Sequence, residues 1–173
     1  MAIAETLMRD ADMDTKALRY TLGGFATGVC VITVPDPDHR QGHVLGMTAN
    51  SFTSVSLDPP LISWCLDNRA HRYDVYAGAE NFGVNILSGG QSELSRRFAG
   101  GNAHVVPEEG LISPLHSLRF NAVIGFLECQ LFEARELGDH LQIIGRVMSF
   151  DRDTEVPGLT FFKGRYGQIG DAS

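Results

Sequence analysis

Short apolar runs rich in β-branched residues, separated by turn signals, are the feature of this sequence that most constrains its fold. The clearest runs lie at residues 29–34, 61–66, 81–87 and 140–150, and each of them predicts a strand. The strands mostly follow one another through turns rather than long helices, so an antiparallel sheet is predicted. Closing that sheet into a barrel is the simplest way to hide the edges of so many apolar strands.

Weaker signals extend this organisation to six or seven strands and three short helices. Strands are expected at 43–48 and 160–163, and the stretch 119–136 predicts two strands or one long bent strand with a bulge at Gly125. Helices are expected at 14–22, 68–77 and 88–98, and a loop at 100–114. With 173 residues and no internal repeat, the chain is predicted to hold a flexible segment at 1–12 and one domain at 13–173.

Charge and cysteine usage exclude several classes of function. Fourteen Lys and Arg against 21 Asp and Glu give a net charge of −7, which opposes general binding to nucleic acid or acidic membranes. The three cysteines (Cys30, Cys65 and Cys129) and the six histidines show no paired spacing, so neither a disulfide framework nor a metal site is expected. The start has no signal-peptide pattern, and no apolar run approaches the ~20 residues of a membrane span. A cytoplasmic location is therefore predicted.

The common catalytic motifs are missing from the sequence. It contains no G-x-G-x-x-G fingerprint, no phosphate-binding P-loop and no G-x-S-x-G nucleophile elbow. Residues 24–28 read Gly-Phe-Ala-Thr-Gly, but they precede a predicted strand instead of opening a helix. No catalytic dyad is evident, so no residue is assigned as a catalytic acid, base or nucleophile.

The run of small and polar residues at 47–56 is the most informative segment. Its side chains leave the backbone N–H groups approachable and add hydroxyl donors, which together suit an anionic or heteroaromatic ligand. The alternative is a plain Ser/Thr-rich edge strand.

Two further features suggest ligand contacts. Ser88 and Gln91 have the spacing of a capping box, and the helix N-terminus they open would suit a phosphate, although ordinary capping explains them equally. His140 follows the predicted turn Gly138-Asp139, where the alternative is a half-exposed polar residue.

Six short segments, in this order along the chain, carry a family resemblance: residues 25–29, 46–56, 57–61, 82–87, 138–140 and 162–167. The sequence resembles the flavin reductase family with the FMN-binding split barrel, the reductase components of two-component flavin monooxygenases. The resemblance runs from about Leu18 to Tyr166. It implies a mainly β fold, an antiparallel Greek-key split β-barrel with a few short helices.

The resemblance also implies positions for a flavin. The isoalloxazine ring would be lined by Thr48, Ala49, Asn50 and Ser51, and the ribityl chain and phosphate by Cys65, Asp67 and Asn68. Many relatives carry Ser or Thr in the segment that here reads Ala70-His71-Arg72, so Arg69 or Arg72 is expected to contact the phosphate instead. The turn with Ser88 and Gln91 would lie near the flavin.

The nicotinamide side of the site is implied in the same way. The resemblance associates His140 with the nicotinamide, and the segment at 162–166 would close the same pocket with Phe162, Arg165 and Tyr166. Arg165 would suit a nicotinamide phosphate, since its planar fork forms paired hydrogen bonds.

The implied activity is the transfer of a hydride from NADH or NADPH to FMN or FAD, for use by a separate oxygenase. Such a transfer needs no protein acid or base in its first step, consistent with the missing dyad. The resemblance also implies a homodimer. Two alternatives remain: a flavoprotein that retains its flavin and reduces a corrin or metal complex, and a flavin-binding protein without turnover.

Overall fold

The computed structural model describes residues 13–38, 43–100, 109–152 and 156–169, and the backbone of 103–105. The segment 1–12, predicted to be flexible, lies outside these ranges. The described helices are α1 (Thr15–Leu22), α2 (Tyr73–Ala77) and α3 (Ser92–Ala99). The described strands are β1 (Thr27–Gly28), β2 (Cys30–Pro35), β3 (Val44–Ala49), β4 (Thr53–Leu57), β5 (Pro60–Asp67), β6 (Asn81–Ile86), β7 (Ala103–Val105), β8 (Gly110–Ile112), β9 (Leu118–Phe120), β10 (Gly125–Leu137), β11 (His140–Arg152), β12 (Leu159–Phe162) and β13 (Arg165–Gln168).

Antiparallel pairing organises these strands into three sheets. The largest has eight strands in the order β4-β5-β11-β10-β6-β2-β3-β7, and the others join β1-β12-β13 and β8-β9. The hairpin β10–β11 lies between β5 and β6, as in Greek-key connections. The mainly β, split-barrel fold is confirmed, whereas the closed barrel expected from strand content is wrong: β4 and β7 remain as unpaired edges of the described sheet.

Strand β2 shows why an uninterrupted apolar run was needed. Alternate residues of this region enter two hydrophobic clusters, one containing Ile32 with Trp64 and one containing Val31 with Phe98. Both Ile32 and Val31 are fully buried, so β2 lies in the interior with apolar packing on both faces. A strand buried on both faces has no polar side, which explains its lack of alternation.

A buried amide fixes β9 over the sheet. Asn85 of β6 is fully buried; its Nδ2 donates to the Leu118 carbonyl at 2.9 Å and its Oδ1 accepts from the Phe120 N–H at 2.8 Å. The side chain therefore satisfies the buried Phe120 N–H and shares the Leu118 carbonyl with Thr33 Oγ1, which donates to it at 2.9 Å. Within the segment 82–87, which supports the family resemblance, Asn85 thus has a structural role.

Helix α1 agrees with the prediction, and helix α3 does not. Asp14 caps α1 by accepting from the Lys16 and Ala17 N–H groups at 2.9 and 3.0 Å. Helix α3 begins at Ser92 rather than Ser88 because the chain stays extended through Ser88, which forms a β-bridge with Gly158. The predicted capping box is therefore wrong, although the Ser88 N–H still donates to Gln91 Oε1 at 2.9 Å.

Other differences arise where strands are very short or turns are unusual. The loop predicted at 100–114 contains β7 and β8, and β13 was not predicted. The β10–β11 pair has two bulges, one at Met148 of β11 and one at Phe132 of β10, and neither is at Gly125. Helix α2 starts five residues late because Arg72 adopts a left-handed conformation with φ 62°. None of the helices in the described ranges has the length and apolar character needed to cross a bilayer.

Candidate active site

The main cleft is a depression of about 480 Å³ where the ends of β3, β5 and α3 meet the start of β11. Its size lies within the range of small-molecule sites. It is lined by Met47, Thr48, Ala49, Asn50, Ser51, Cys65, Asp67, Arg69, Ala70, His71, Ala99, Gly100 and His140. Seven predicted ligand residues, those at 48–51, 65, 67 and 140, thus lie together.

Strand register explains how residues distant in sequence meet in the main cleft. In the β5–β11 pair His140 lies opposite Asp67. The turn before β11 uses Gly138, whose φ of 62° favours glycine. The Ser51 hydroxyl accepts from the Cys65 N–H at 2.9 Å and donates to the Cys65 carbonyl at 3.4 Å, which ties the end of β3 to β5.

The free edge of β3 supplies the polar groups of the cleft. Strand β7 pairs with β3 only from Val44 to Gly46, whereas β2 pairs with β3 as far as Ala49. In the described part of the chain, residues 47–49 therefore have a strand on one side only, and the backbone groups on the other side are available to a ligand.

The hydroxyls next to that edge are already bonded within the protein. Thr48 Oγ1 donates to the Ser95 carbonyl at 2.7 Å, and Ser51 is held by Cys65 as described above. Burial raises the pKa of the Cys65 thiol, so this side chain lines the cleft in its neutral form. The segment consequently offers main-chain groups to a ligand more readily than the hydroxyl donors expected from the sequence.

Two acid–base pairs border the main cleft. Arg69 donates from Nε and Nη2 to the carboxylate of Asp67 at 3.2 and 3.1 Å, and this contact lowers the pKa of Asp67 to about 2. These two bonds leave other guanidinium N–H groups for a ligand, since arginine has about five donors. His140 Nδ1 donates to Asp139 Oδ1 at 2.7 Å, which lowers the pKa of Asp139 and leaves Nε2 for another partner.

Four of the predicted flavin contacts do not line the main cleft: Asn68, Arg72, Ser88 and Gln91. The Asn68 N–H donates to the Asp139 carbonyl at 3.0 Å within the turn region. Arg72 forms ion pairs with Asp36 at 3.2 Å and Asp38 at 2.7 Å. Gln91 accepts from Ser88 and donates from Nε2 to the Asn121 carbonyl at 2.8 Å, so both residues of that turn bond within the protein. Of the two arginines considered for a phosphate, Arg69 is the one at the cleft.

A side pocket of about 180 Å³ adjoins the main cleft, and its lining residues are Val29, Thr48, Asn50, Ala99, Phe161 and Tyr166. Thr48, Asn50 and Ala99 line both spaces, so the two are adjacent. The Phe161 and Tyr166 rings lie 5.3 Å apart because these residues are opposite each other in the β12–β13 pair. Of the four nicotinamide-binding residues predicted, Tyr166 therefore lies beside the main cleft together with His140.

Phe162 and Arg165 face a different space. They line a cleft of about 540 Å³ with Tyr20, Thr160, Lys163, Tyr166 and Gly167. Phe161 was missed because the sequence did not reveal the turn at Lys163 and Gly164, where φ is 47° and 77°. Recognising this two-residue turn would have placed Phe161 opposite Tyr166.

No metal is indicated by the geometry of this region. Across the described ranges, no three His, Cys, Asp or Glu side chains come together as a metal site requires.

Comparison with known proteins identifies the family. Residues 22–170 match the flavin reductase-like domain family. The reductase subunit of stachydrine N-demethylase from Rhizobium meliloti is 39% identical over 160 residues, which cover 88% of this chain and 65% of that relative. A flavin reductase of Pseudomonas putida is 34% identical over 172 residues, covering 95% of each protein. This chain belongs to the flavin reductase-like domain family.

The fold agrees with a solved relative over nearly its whole length. The NADH:FAD oxidoreductase of Streptomyces globisporus, crystallised with NAD and FAD fragments, superposes with a TM-score of 0.83 at 32% identity. The match covers 92% of this chain and 96% of that protein. The chain thus spans a whole solved relative, but less than two thirds of the Rhizobium meliloti reductase subunit.

Proposed function

We propose that this protein is an NAD(P)H:flavin oxidoreductase that reduces FMN or FAD at the main cleft. The proposal is supported by the arrangement of the main cleft in a member of this family. The free edge of β3, the guanidinium of Arg69 with its unused donors, and His140 all line this one space. The domain is proposed to span residues 13–173.

The residues of the main cleft fit a flavin. An isoalloxazine ring carries both donors and acceptors on one edge, and the free edge of β3 at 47–49 offers both kinds of main-chain group. Arg69 is assigned to the flavin phosphate, because charged forks bind phosphate well and its guanidinium keeps unused donors. Neutral Cys65 adds no charge beside the ring.

The residues around the side pocket orient the second substrate. A bound flavin accepts the hydride that the reduced nicotinamide gives up, and the nicotinamide leaves in its oxidised form. His140 would hold the nicotinamide end through its unoccupied Nε2, and the aromatic pair Phe161 and Tyr166 would limit where a flat ring can lie. The protein thereby holds the two rings in contact and excludes water, without an acid or base of its own.

Reduced flavin is proposed to leave and serve a separate oxygenase, since the Rhizobium meliloti relative is named as a reductase subunit. A homodimer in the cytoplasm is proposed as well. Helix α1 buries none of its residues in this chain, and Leu18 and Leu22, which share one face four residues apart, are 43% and 65% exposed. An apolar helix face of this kind suits contact with a second copy.

A turnover assay tests the proposed function. The purified protein is mixed with NADH or NADPH and with FMN or FAD, and nicotinamide oxidation is followed by absorbance together with the flavin dissociation constant. Oxidation with at least one pair, with flavin that dissociates, is expected. Oxidation only with a corrin or metal complex and a retained flavin would favour the first alternative, and flavin binding without any oxidation would favour the second.

His140→Ala sharpens the assignment of the nicotinamide side. Loss of one hydrogen bond to a polar substrate is expected to raise the nicotinamide KM about tenfold, while the flavin dissociation constant changes less than about twofold on the same scale. Arg146→Ala, an exposed change on the same strand outside the cleft, is the matched control. Equal losses of nicotinamide and flavin binding in His140→Ala would contradict this assignment.

A further inference from the structure

Ser95 is a buried polar residue in the middle of α3 that joins two parts of the site. Its side chain is fully buried, and its Oγ lies 2.8 Å from the Tyr166 hydroxyl. Its carbonyl accepts from Thr48 Oγ1 at 2.7 Å. One residue of the helix thus contacts the strand that forms the main cleft and the hairpin that forms the side pocket.

The residue type is informative because serine is a poor choice for a helix interior. Serine has a lower helix propensity than alanine, and its hydroxyl commonly bonds back to the preceding turn of its own helix. Here the hydroxyl bonds instead to Tyr166 on β13, which belongs to the three-stranded sheet and not to the eight-stranded sheet that contains β3. The contact therefore links α3 to the β12–β13 hairpin at the cost of some local helix preference.

Tyr166 is held on several sides by groups of the same region. The Arg96 guanidinium lies 5.1 Å from the centre of the Tyr166 ring, and the Phe161 ring lies 5.3 Å away. These ring contacts set how close the side chain packs, whereas the bond to Ser95 fixes where its hydroxyl end lies. That bond decides the position of the phenol relative to Thr48.

We propose that Ser95 is a positioning residue that holds Tyr166 as the wall of the side pocket and thereby sets the fit of the nicotinamide ring beside the flavin. The proposal rests on the proposed function. Ser95 acts through Tyr166 and need not touch either substrate. Since Thr48 bonds to the carbonyl of Ser95 and not to its side chain, Ser95→Ala breaks the link to Tyr166 and leaves the link to Thr48.

The test is a double-mutant cycle of Ser95→Ala and Tyr166→Phe, read as steady-state kinetics. Each single change removes the same hydrogen bond, so each is expected to raise the nicotinamide KM about fivefold. Flavin affinity and kcat are expected to change less than about twofold. The double variant should show no further rise, because the bond is already lost. Ser92→Ala, on the same helix, is the matched control and should leave KM unchanged.

Independent effects of the two changes, giving about a 25-fold rise in the double variant, would overturn the proposal. An unchanged KM in Ser95→Ala, or a loss of flavin affinity as large as the rise in KM, would overturn it too.

If the wild-type protein oxidises no nicotinamide, the proposed function fails, and amide hydrogen exchange at residues 159–168 then tests the link between Ser95 and Tyr166. Equal acceleration in both single variants and in the double variant supports it; unaltered or unequal exchange contradicts it.

Discussion

Arg69 and Arg72 come from the same short loop, yet they belong to different parts of the molecule. Arg69 is 77% exposed, pairs with Asp67 and lines the main cleft. Arg72 is 27% exposed and pairs with Asp36, whose side chain is fully buried. The left-handed conformation of Arg72 turns the chain at this point. Arg69 therefore lies at the main cleft, whereas Arg72, three residues later, is part of the structural framework.

The different burial of the two arginines gives them different roles. A buried carboxylate such as Asp36 is stable only with a partner, so Arg72 is committed to the fold. An exposed pair such as Arg69 with Asp67 contributes little to stability, because water already solvates both groups. Its guanidinium can therefore exchange part of its bonding for a phosphate at small cost to the fold.

The largest expected effect is a loss of stability in Arg72→Met. Removing one partner of a buried pair costs about 3–5 kcal/mol, and the partial exposure of Arg72 reduces this to about 2–3 kcal/mol in the free energy of unfolding. Urea denaturation measures it. Flavin affinity measured on the folded protein should fall less than in Arg69→Met, and a larger loss would reverse the roles of the two arginines.

How well each element of the fold could be predicted depends on whether local sequence or pairing with a distant segment determines it. The buried strand β2 could be predicted from the sequence because its apolar residues are consecutive in the chain. The two-residue strand β1 is too short to carry a pattern, and pairing with the distant β12 creates it, whereas β13 was missed together with the turn that pairs it with β12. The start of α3 was mispredicted for the same reason, since the bridge between Ser88 and Gly158 is not visible locally.

The candidate site divides in a similar way. Residues 48–51, 65, 67 and 140 were grouped through the family resemblance, and in the structure the β5–β11 pair and the hydrogen bonds of Ser51 with Cys65 bring them together. The choice between Arg69 and Arg72, or between Phe161 and Phe162, depends on one turn in each case. A one-residue change of register moves a side chain to the opposite face, and only coordinates resolve it.

A smaller effect, on binding rather than stability, is expected for Arg69→Met. Loss of a charge-assisted bond should raise the FMN dissociation constant about tenfold, and the free energy of unfolding should change by less than about 0.5 kcal/mol. Riboflavin, which lacks the phosphate, provides the test of mechanism: its affinity should be unchanged. Fluorescence quenching measures both ligands.

Arg135→Met is the matched control for that prediction, because Arg135 also forms an exposed ion pair two residues away, with Glu133, outside the main cleft. It should change neither FMN affinity nor stability. An equal weakening of FMN and riboflavin in Arg69→Met would show that Arg69 shapes the cleft without contacting the phosphate.

The smallest expected effect is on the titration of Asp67. The side-chain bond from Arg69 is the main cause that lowers the pKa of Asp67 to about 2 from its ordinary 3.8. In Arg69→Met the pKa should rise, but only part of the way, because the backbone N–H of residue 69 still donates to Oδ1 at 2.8 Å. Since the folded pKa is depressed, the pair stabilises the fold above the unfolded pKa, and this contribution is lost as pH falls from 3.8 through about 2.

Carboxyl-carbon NMR measures the titration of Asp67, and the control Arg72→Met should leave the pKa of Asp67 at about 2. A pKa that stays at about 2 in Arg69→Met would show that the backbone N–H of residue 69, and not the guanidinium, is the main cause of the lowered pKa.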